Sequence, residues 1–149
     1  MTEAKAKSLA EAVGGHVVQT MPQSRMHGVS LTRADGKFAL IEEDAGAVYF
    51  DEHACWIGYH TLGDDARGVV DAEEWIDWGI TELWASGLAT LIGGTPYQSG
   101  GNVWVVLFER QDGRLAVIGD TGAEIYQSRD HYERYYEADQ PEPERVEWE

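Results

Sequence analysis

The strongest constraint on what this chain can fold into is that it repeats itself. Leu9 to Gln19, reading LAEAVGGHVVQ, matches Leu88 to Gln98, reading LATLIGGTPYQ, at an offset of 79. Leu9, Ala10, Gly14 and Gly15 recur there as Leu88, Ala89, Gly93 and Gly94. Further on, VSLTRADGKFALI from Val29 matches VLFERQDGRLAVI from Val106 at an offset of 77, and Tyr49 recurs as Tyr126 in the same register. A fixed period of this length means that one supersecondary unit was laid down twice, and reading the elements before the repeat would misassign the fold.

Each copy follows one plan. An amphipathic helix carrying Ala6, Leu9, Ala10 and Val13 stops at Gly-Gly, where a glycine can adopt the left-handed C-terminal cap. A hairpin follows, turning at Ala34-Asp35-Gly36-Lys37 and at Gln111-Asp112-Gly113-Arg114, because Asp-Gly between apolar runs is a strong hairpin signal. A third strand is expected at Ala47 to Phe50 and at Ala123 to Gln127. Val103 to Phe108 is apolar at every position and reads as a strand covered on both faces, whereas Gly28 to Thr32 alternates. A unit of about 45 residues buries too little surface to stand alone, so the copies should share a core.

The expected fold is therefore α+β: a tandem duplication of a helix-plus-three-strand (αβββ) unit forming one pseudo-twofold domain with antiparallel sheet. Six strands in one sheet with the helices on one face is one arrangement open to it, and the strand order is left open. The first repeat spans 1–62. A linker, a long helix and the second repeat span 63–132, and an acidic C-terminal arm spans 133–149. The long helix is expected from Asp71 to Ile92, opened by a capping box of Asp71 and Glu74. Trp75, Ile76, Gly79, Ile80, Leu83, Gly87, Leu88 and Ile92 would form its apolar arc. On that helix Trp78 would face away from the core between Glu74 and Glu82.

Charge adds a second constraint. The 149 residues hold 27 acids and 11 bases, a net charge of -16. Residues 42–77 account for -10 and residues 133–149 for -5, which leaves the other 96 nearly neutral. The repeat supplies an internal control. Glu42, Glu43 and Asp44 match Gly119, Asp120 and Thr121, while Asp51 and Glu52 match Ser128 and Arg129. The same places accept neutral or basic residues, so the carboxylates read as additions to the scaffold rather than requirements of it. Two explanations compete: solubility, and an acidic face for a basic partner. The partner-binding residues expected on the second explanation are Glu42, Glu43, Asp44, Asp51, Glu52, Asp64, Asp65, Glu74, Asp77, Trp78 and Glu82, with Trp78 as an aromatic hot spot in a field of steering carboxylates. The competing place for Trp78 is beneath a loop or against the C-terminal tail.

Several chemistries find no motif. Direct binding to nucleic acid or anionic lipid draws on Lys and Arg, which this chain lacks in excess. There is no signal pattern and no apolar run of membrane-spanning length, so a soluble, cytoplasmic protein is expected. Cys55 is the single cysteine. His53, Cys55 and His60 lie near Asp51 and Glu52, but their spacing matches no paired zinc-ligand pattern, and no metal or cofactor is expected. Ser99-Gly100-Gly101-Asn102 lacks the Lys-Ser/Thr of a phosphate loop and reads as a turn. No catalytic residue is expected. The expected function is a non-enzymatic module that engages the basic surface of a nucleic-acid-binding protein, its carboxylates standing in for phosphates as in inhibitors of CRISPR or restriction effectors encoded by phages and mobile elements. The alternatives are a small-ligand binder or enzyme with its site between the repeats near Trp104 and Tyr97, and a self-associating module, for instance a homodimer.

Overall fold

The computed structural model describes residues 1–21, 26–60 and 68–148. Helix α1 (Glu3–Val13) leads into strands β1 (His16–Met21), β2 (Met26–Thr32), β3 (Phe38–Ile41) and β4 (Ala45–Tyr49), helix α2 (Glu52–His60) and strand β5 (Val69–Glu74). Helix α3 (Glu82–Ile92) then leads into β6 (Thr95–Gly100), β7 (Val103–Glu109), β8 (Leu115–Ile118) and β9 (Gly122–Tyr126), helix α4 (Arg129–Glu133) and β10 (Glu144–Glu147). The fold is α+β, with two antiparallel sheets of five strands each. Their orders are β1-β2-β3-β4-β5 and β10-β9-β8-β7-β6.

Helices α1 and α3 open the two halves through the same local chemistry. The Thr2 hydroxyl accepts from the Lys5 amide at 3.1 Å, and the Thr81 hydroxyl accepts from the Trp84 amide at 3.2 Å, each satisfying a first-turn donor. Both helices end on a left-handed glycine, Gly14 at φ 73° and Gly93 at φ 81°, a conformation that costs other residues a steric clash. Each helix then packs on both sheets. Helix α1 contacts β1 and β2 of its own sheet and β8, β9 and β10 of the other, while α3 contacts β6 and β7 and also β3, β4 and β5. The helices thus form a layer between the sheets. The shared core contains Leu9 and Val13 from α1, Trp84, Leu88 and Ile92 from α3, Val29, Ile41 and Val48 from the first sheet, and Val106, Ala116 and Ile118 from the second.

Two arginines tie the halves together reciprocally. The Arg33 guanidinium donates to the carbonyls of Thr90 and Leu91, at 3.0 and 3.3 Å, in the last turn of α3. The Arg110 guanidinium donates to the carbonyls of Glu11 and Ala12, at 2.7 and 3.1 Å, in the last turn of α1. A cation suits those positions because the final carbonyls of a helix have no partner within it and carry the negative end of its dipole.

Several expectations are corrected. The chain forms two five-stranded sheets around a helical layer, which closes the open question of sheet number against a single six-stranded sheet. Each half holds five strands: β1 and β6 follow the Gly-Gly stops directly, and β5 and β10 close the far edges. The long helix from Asp71 does not form. Val69–Glu74 is instead β5, paired antiparallel with β4, and the helix begins at Glu82. Between them the backbone turns through Gly79 at φ 95° and Ile80 at φ 49°. A side chain at Gly79 would collide with the Asp120 Cβ, so tertiary contact fixes that break as firmly as the dihedral does. The tail beyond residue 133 is no arm: β10 pairs with β9, and Val146 and Trp148 are buried. Strand β2 is also covered on both faces, since Gly28, Val29, Ser30 and Leu31 are all buried, so the contrast expected with Val103 to Phe108 does not hold.

Candidate binding surfaces

Strands β5 and β10 are edge strands, and both carry exposed carboxylates: Asp71 and Glu74 on the first, Glu144 and Glu147 on the second. The two acidic stretches of the sequence therefore contribute to sheet edges, where charge blocks pairing with another chain.

The expected partner-binding residues divide into three groups. Glu42, Glu43 and Asp44 form the β3–β4 turn, where Glu42 N–H donates to the Ala45 carbonyl at 2.8 Å. Glu74 pairs with Ala45, and Trp75 N–H donates to the Asp44 carbonyl at 2.9 Å. Glu74 and the nearby Asp77 therefore lie at the same end of the first sheet. Asp51 and Glu52 lie beyond the opposite end of β4, about 17 Å away for five extended residues. Glu82 is exposed in the first turn of α3, where the helix dipole favours a carboxylate. Asp64 and Asp65 lie outside the described residues.

Two of these carboxylates serve the fold directly, which revises the inference that the scaffold does not need them. Glu43 takes the Lys5 ammonium on both oxygens at 2.9 Å, and its backbone carbonyl accepts from the Trp75 indole at 2.7 Å. Asp51 accepts from the Ala54 amide at 2.8 Å and so satisfies a donor in the first turn of α2. By contrast, Asp44, Glu74 and Asp77 are exposed and make no side-chain ion pair among the described residues. Burial raises the pKa of Glu42 above its ordinary value and the Asp44 charge adds to the rise, while the terminal ammonium opposes it.

Trp78 is not an exposed hot spot. It lies half-buried against the core, with its ring centroid 5.4 Å from Trp84, 6.1 Å from Trp75 and 6.2 Å from Trp148. Its indole donates to the Gly119 carbonyl at 3.2 Å, and the Lys5 ammonium lies 4.3 Å from its ring centroid. The competing expectation of a tryptophan packed against the C-terminal tail describes its place. Around Trp78, the apolar side chains that face solvent instead include Ile76, 85% exposed, together with Ile80 and Leu83. Sequence reasoning assigned all three to the buried arc of a helix, and the left-handed backbone at Ile80 is what undoes that periodicity.

Trp104 and Tyr97 line neither of the clefts where the two hairpins meet. The Trp104 amide donates to the Ile80 carbonyl at 2.9 Å, and its ring packs against the shared core. Tyr97 instead lines an open groove of about 470 Å³ on the outer face of the second sheet. Clefts of about 180 and 200 Å³ lie beside Arg110 and Arg33, where the two hairpins meet.

Around the suspected zinc ligands, Cys55 is fully buried and His53 is exposed. Burial first, and the Glu52 charge second, push the Cys55 thiol up to about 12. It is therefore a protonated core group at neutral pH. Among the described residues, no three His, Cys, Asp or Glu side chains are grouped to hold a metal ion. No described helix is long and apolar enough to cross a membrane.

No protein-family model, curated protein or solved structure matches this chain.

Proposed function

We propose that the protein is a non-enzymatic binding module whose acidic rim, at the β3–β4 turn and the end of β5, engages a basic surface of a nucleic-acid-binding protein. The observation that carries this reading is the convergence of Glu42, Asp44, Glu74 and Asp77 at one end of the first sheet, where Lys5 is already taken by Glu43 and the terminal ammonium offsets only part of the charge at Glu42. The exposed Ile76 lies in the same segment, so carboxylates that steer a partner stand beside an apolar side chain that can be desolvated on contact. The rim carboxylates would occupy positions that phosphates otherwise fill, so duplex DNA should compete for the same partner.

The test is affinity capture at low and high salt, with the triple charge reversal Glu42→Lys, Asp44→Lys, Glu74→Lys as control. Attraction at the rim should fade as the screening length falls from about 10 Å at 0.1 M salt to about 3 Å at 1 M. Capture that is displaced by duplex DNA, weakened by salt and abolished by the triple reversal supports the reading. Capture indifferent to all three overturns it.

We also infer that the chain is a tandem duplication whose halves are related by a pseudo-twofold axis. Supporting this are the matching strand orders, the matching Thr and Gly caps, and the exchange of Arg33 and Arg110 between the ends of α3 and α1.

A further inference from the structure

The outer faces of the two sheets begin from the same plan and end differently. On the first sheet, α2 lies over Phe38, Leu40 and Tyr49, and Cys55 and Trp56 from that helix complete an apolar cluster. On the second sheet the corresponding helix, α4, has only five residues. It covers Leu107, Leu115 and Tyr126 but leaves Val105 and Val117 as the floor of the 470 Å³ groove. That volume lies within the range that small-molecule sites occupy.

The walls of the groove are tyrosines. The Tyr126 ring stands 5.2 Å from Tyr132 and 5.6 Å from Tyr135, at interplanar angles of 73° and 75°, and Tyr135 lies 5.6 Å from Tyr136 at 56°. Rings set so steeply to one another present faces in several directions, and Tyr97 lines the groove from β6. Glu124 and Glu133 supply carboxylates, and no Lys or Arg lines the space. Glu124 is shared with Arg145 at 3.4 Å, and the nearby Arg129 is held by Glu109 at 2.6 Å. Glu133 makes no ion pair among the described residues. In the first half Ala47 and Trp56 stand where Glu124 and Glu133 stand here, so the acidic, tyrosine-lined character belongs to the open face alone.

We propose that this groove binds an organic ammonium cation. The negative faces of the tyrosine rings attract a positive charge whose alkyl shell sheds water easily, the valine floor accepts that shell, and Glu133 balances the charge. An anion would meet Glu133 with no ion-pair partner, while the two arginines at the margin, Arg129 and Arg145, are already held by Glu109 and Glu124. The site lies on a different sheet from the acidic rim and does not depend on it.

The experiment is calorimetric titration of the 149-residue chain with choline and with its uncharged isostere 3,3-dimethylbutan-1-ol, matched in shape. Choline should bind about ten-fold more tightly than the isostere, a ratio typical of a partly desolvated cation-ring contact. Tyr136→Ala and Glu133→Gln should each weaken choline several-fold while leaving the unfolding midpoint unchanged, since both residues are exposed. The triple charge reversal at the rim should leave choline binding intact, which separates failure of this proposal from failure of the acidic-rim reading. Equal binding of choline and the isostere, absence of choline binding at millimolar concentration, or indifference to Tyr136→Ala and Glu133→Gln would overturn it.

Discussion

Replacing Trp148 by alanine tests whether the C-terminal segment is structural. The indole is 3% exposed, sits edge-on to Trp78 at an interplanar angle of 89°, and donates from Nε1 to the Asp120 carbonyl at 2.8 Å. Truncating a buried aromatic to alanine costs roughly 3–5 kcal/mol, a figure that includes the cavity left behind. The Asp120 carbonyl would also lose its indole donor, worth about 1 kcal/mol. A loss of about 4 kcal/mol is therefore expected, against a total stability of roughly 5–15 kcal/mol for a domain. At about 2–4 °C per kcal/mol for a chain of this size, the melting temperature should fall by roughly 8–16 °C. Urea unfolding followed by far-ultraviolet circular dichroism reads the loss without relying on the removed fluorophore. An unchanged slope would show that stability moved rather than cooperativity. Trp148→Phe should recover most of the loss and leave a deficit of about 1 kcal/mol for the hydrogen bond. A loss below about 1 kcal/mol for Trp148→Ala would mean that the buried indole does not anchor the C-terminal segment, and would return residues 133–149 to the status of an arm.

Two further perturbations probe the join between the halves and the acidic turn. Arg33→Met and Arg110→Met each remove charge-assisted hydrogen bonds to two helix-terminal carbonyls and should each cost about 1.5–3 kcal/mol by chemical denaturation; a cost confined to one of them would contradict the reciprocal arrangement. Glu42 has its folded-state pKa raised by burial, so its ionised form is disfavoured in the fold and the protein gains stability as pH falls through that raised value. Glu42→Gln should consequently be more stable than the native chain at neutral pH, with the advantage fading on acidification and gone below the ordinary value of 4.5; a Gln variant less stable at neutral pH would reverse that assignment.

The elements that could be read in advance are those whose causes are local. Both Asp-Gly hairpins and both Gly-Gly helix stops lie where the dihedral demands of a turn and a left-handed cap place them. The repeat likewise placed β4 and β9 within two residues. Local reasoning failed at residues 71–81, where Asp-Ala-Glu-Glu suits a helix and yet forms β5. Strand preference is set by the neighbour a strand meets, and β4 offers Ala45 to Tyr49 as that neighbour. Tryptophan placement failed for the same reason. Trp78 was set outside by the periodicity of a helix that does not exist, while Trp148, in a polar tail, has no local pattern to announce its burial.

The acidic surfaces were legible as composition but not as geometry. From the residue order alone came the two stretches that carry nearly all the net charge, the two segments that match at a fixed offset, and the glycines that stop the two helices. Long-range packing put part of that charge on edge strands, committed Glu43 and Asp51 to the fold, and left a tyrosine groove open beside the short α4 where α2 covers its counterpart. Turns and caps are set by the dihedral preferences of a few adjacent residues, whereas edges, partners and grooves depend on which distant segments meet, and no local preference encodes that.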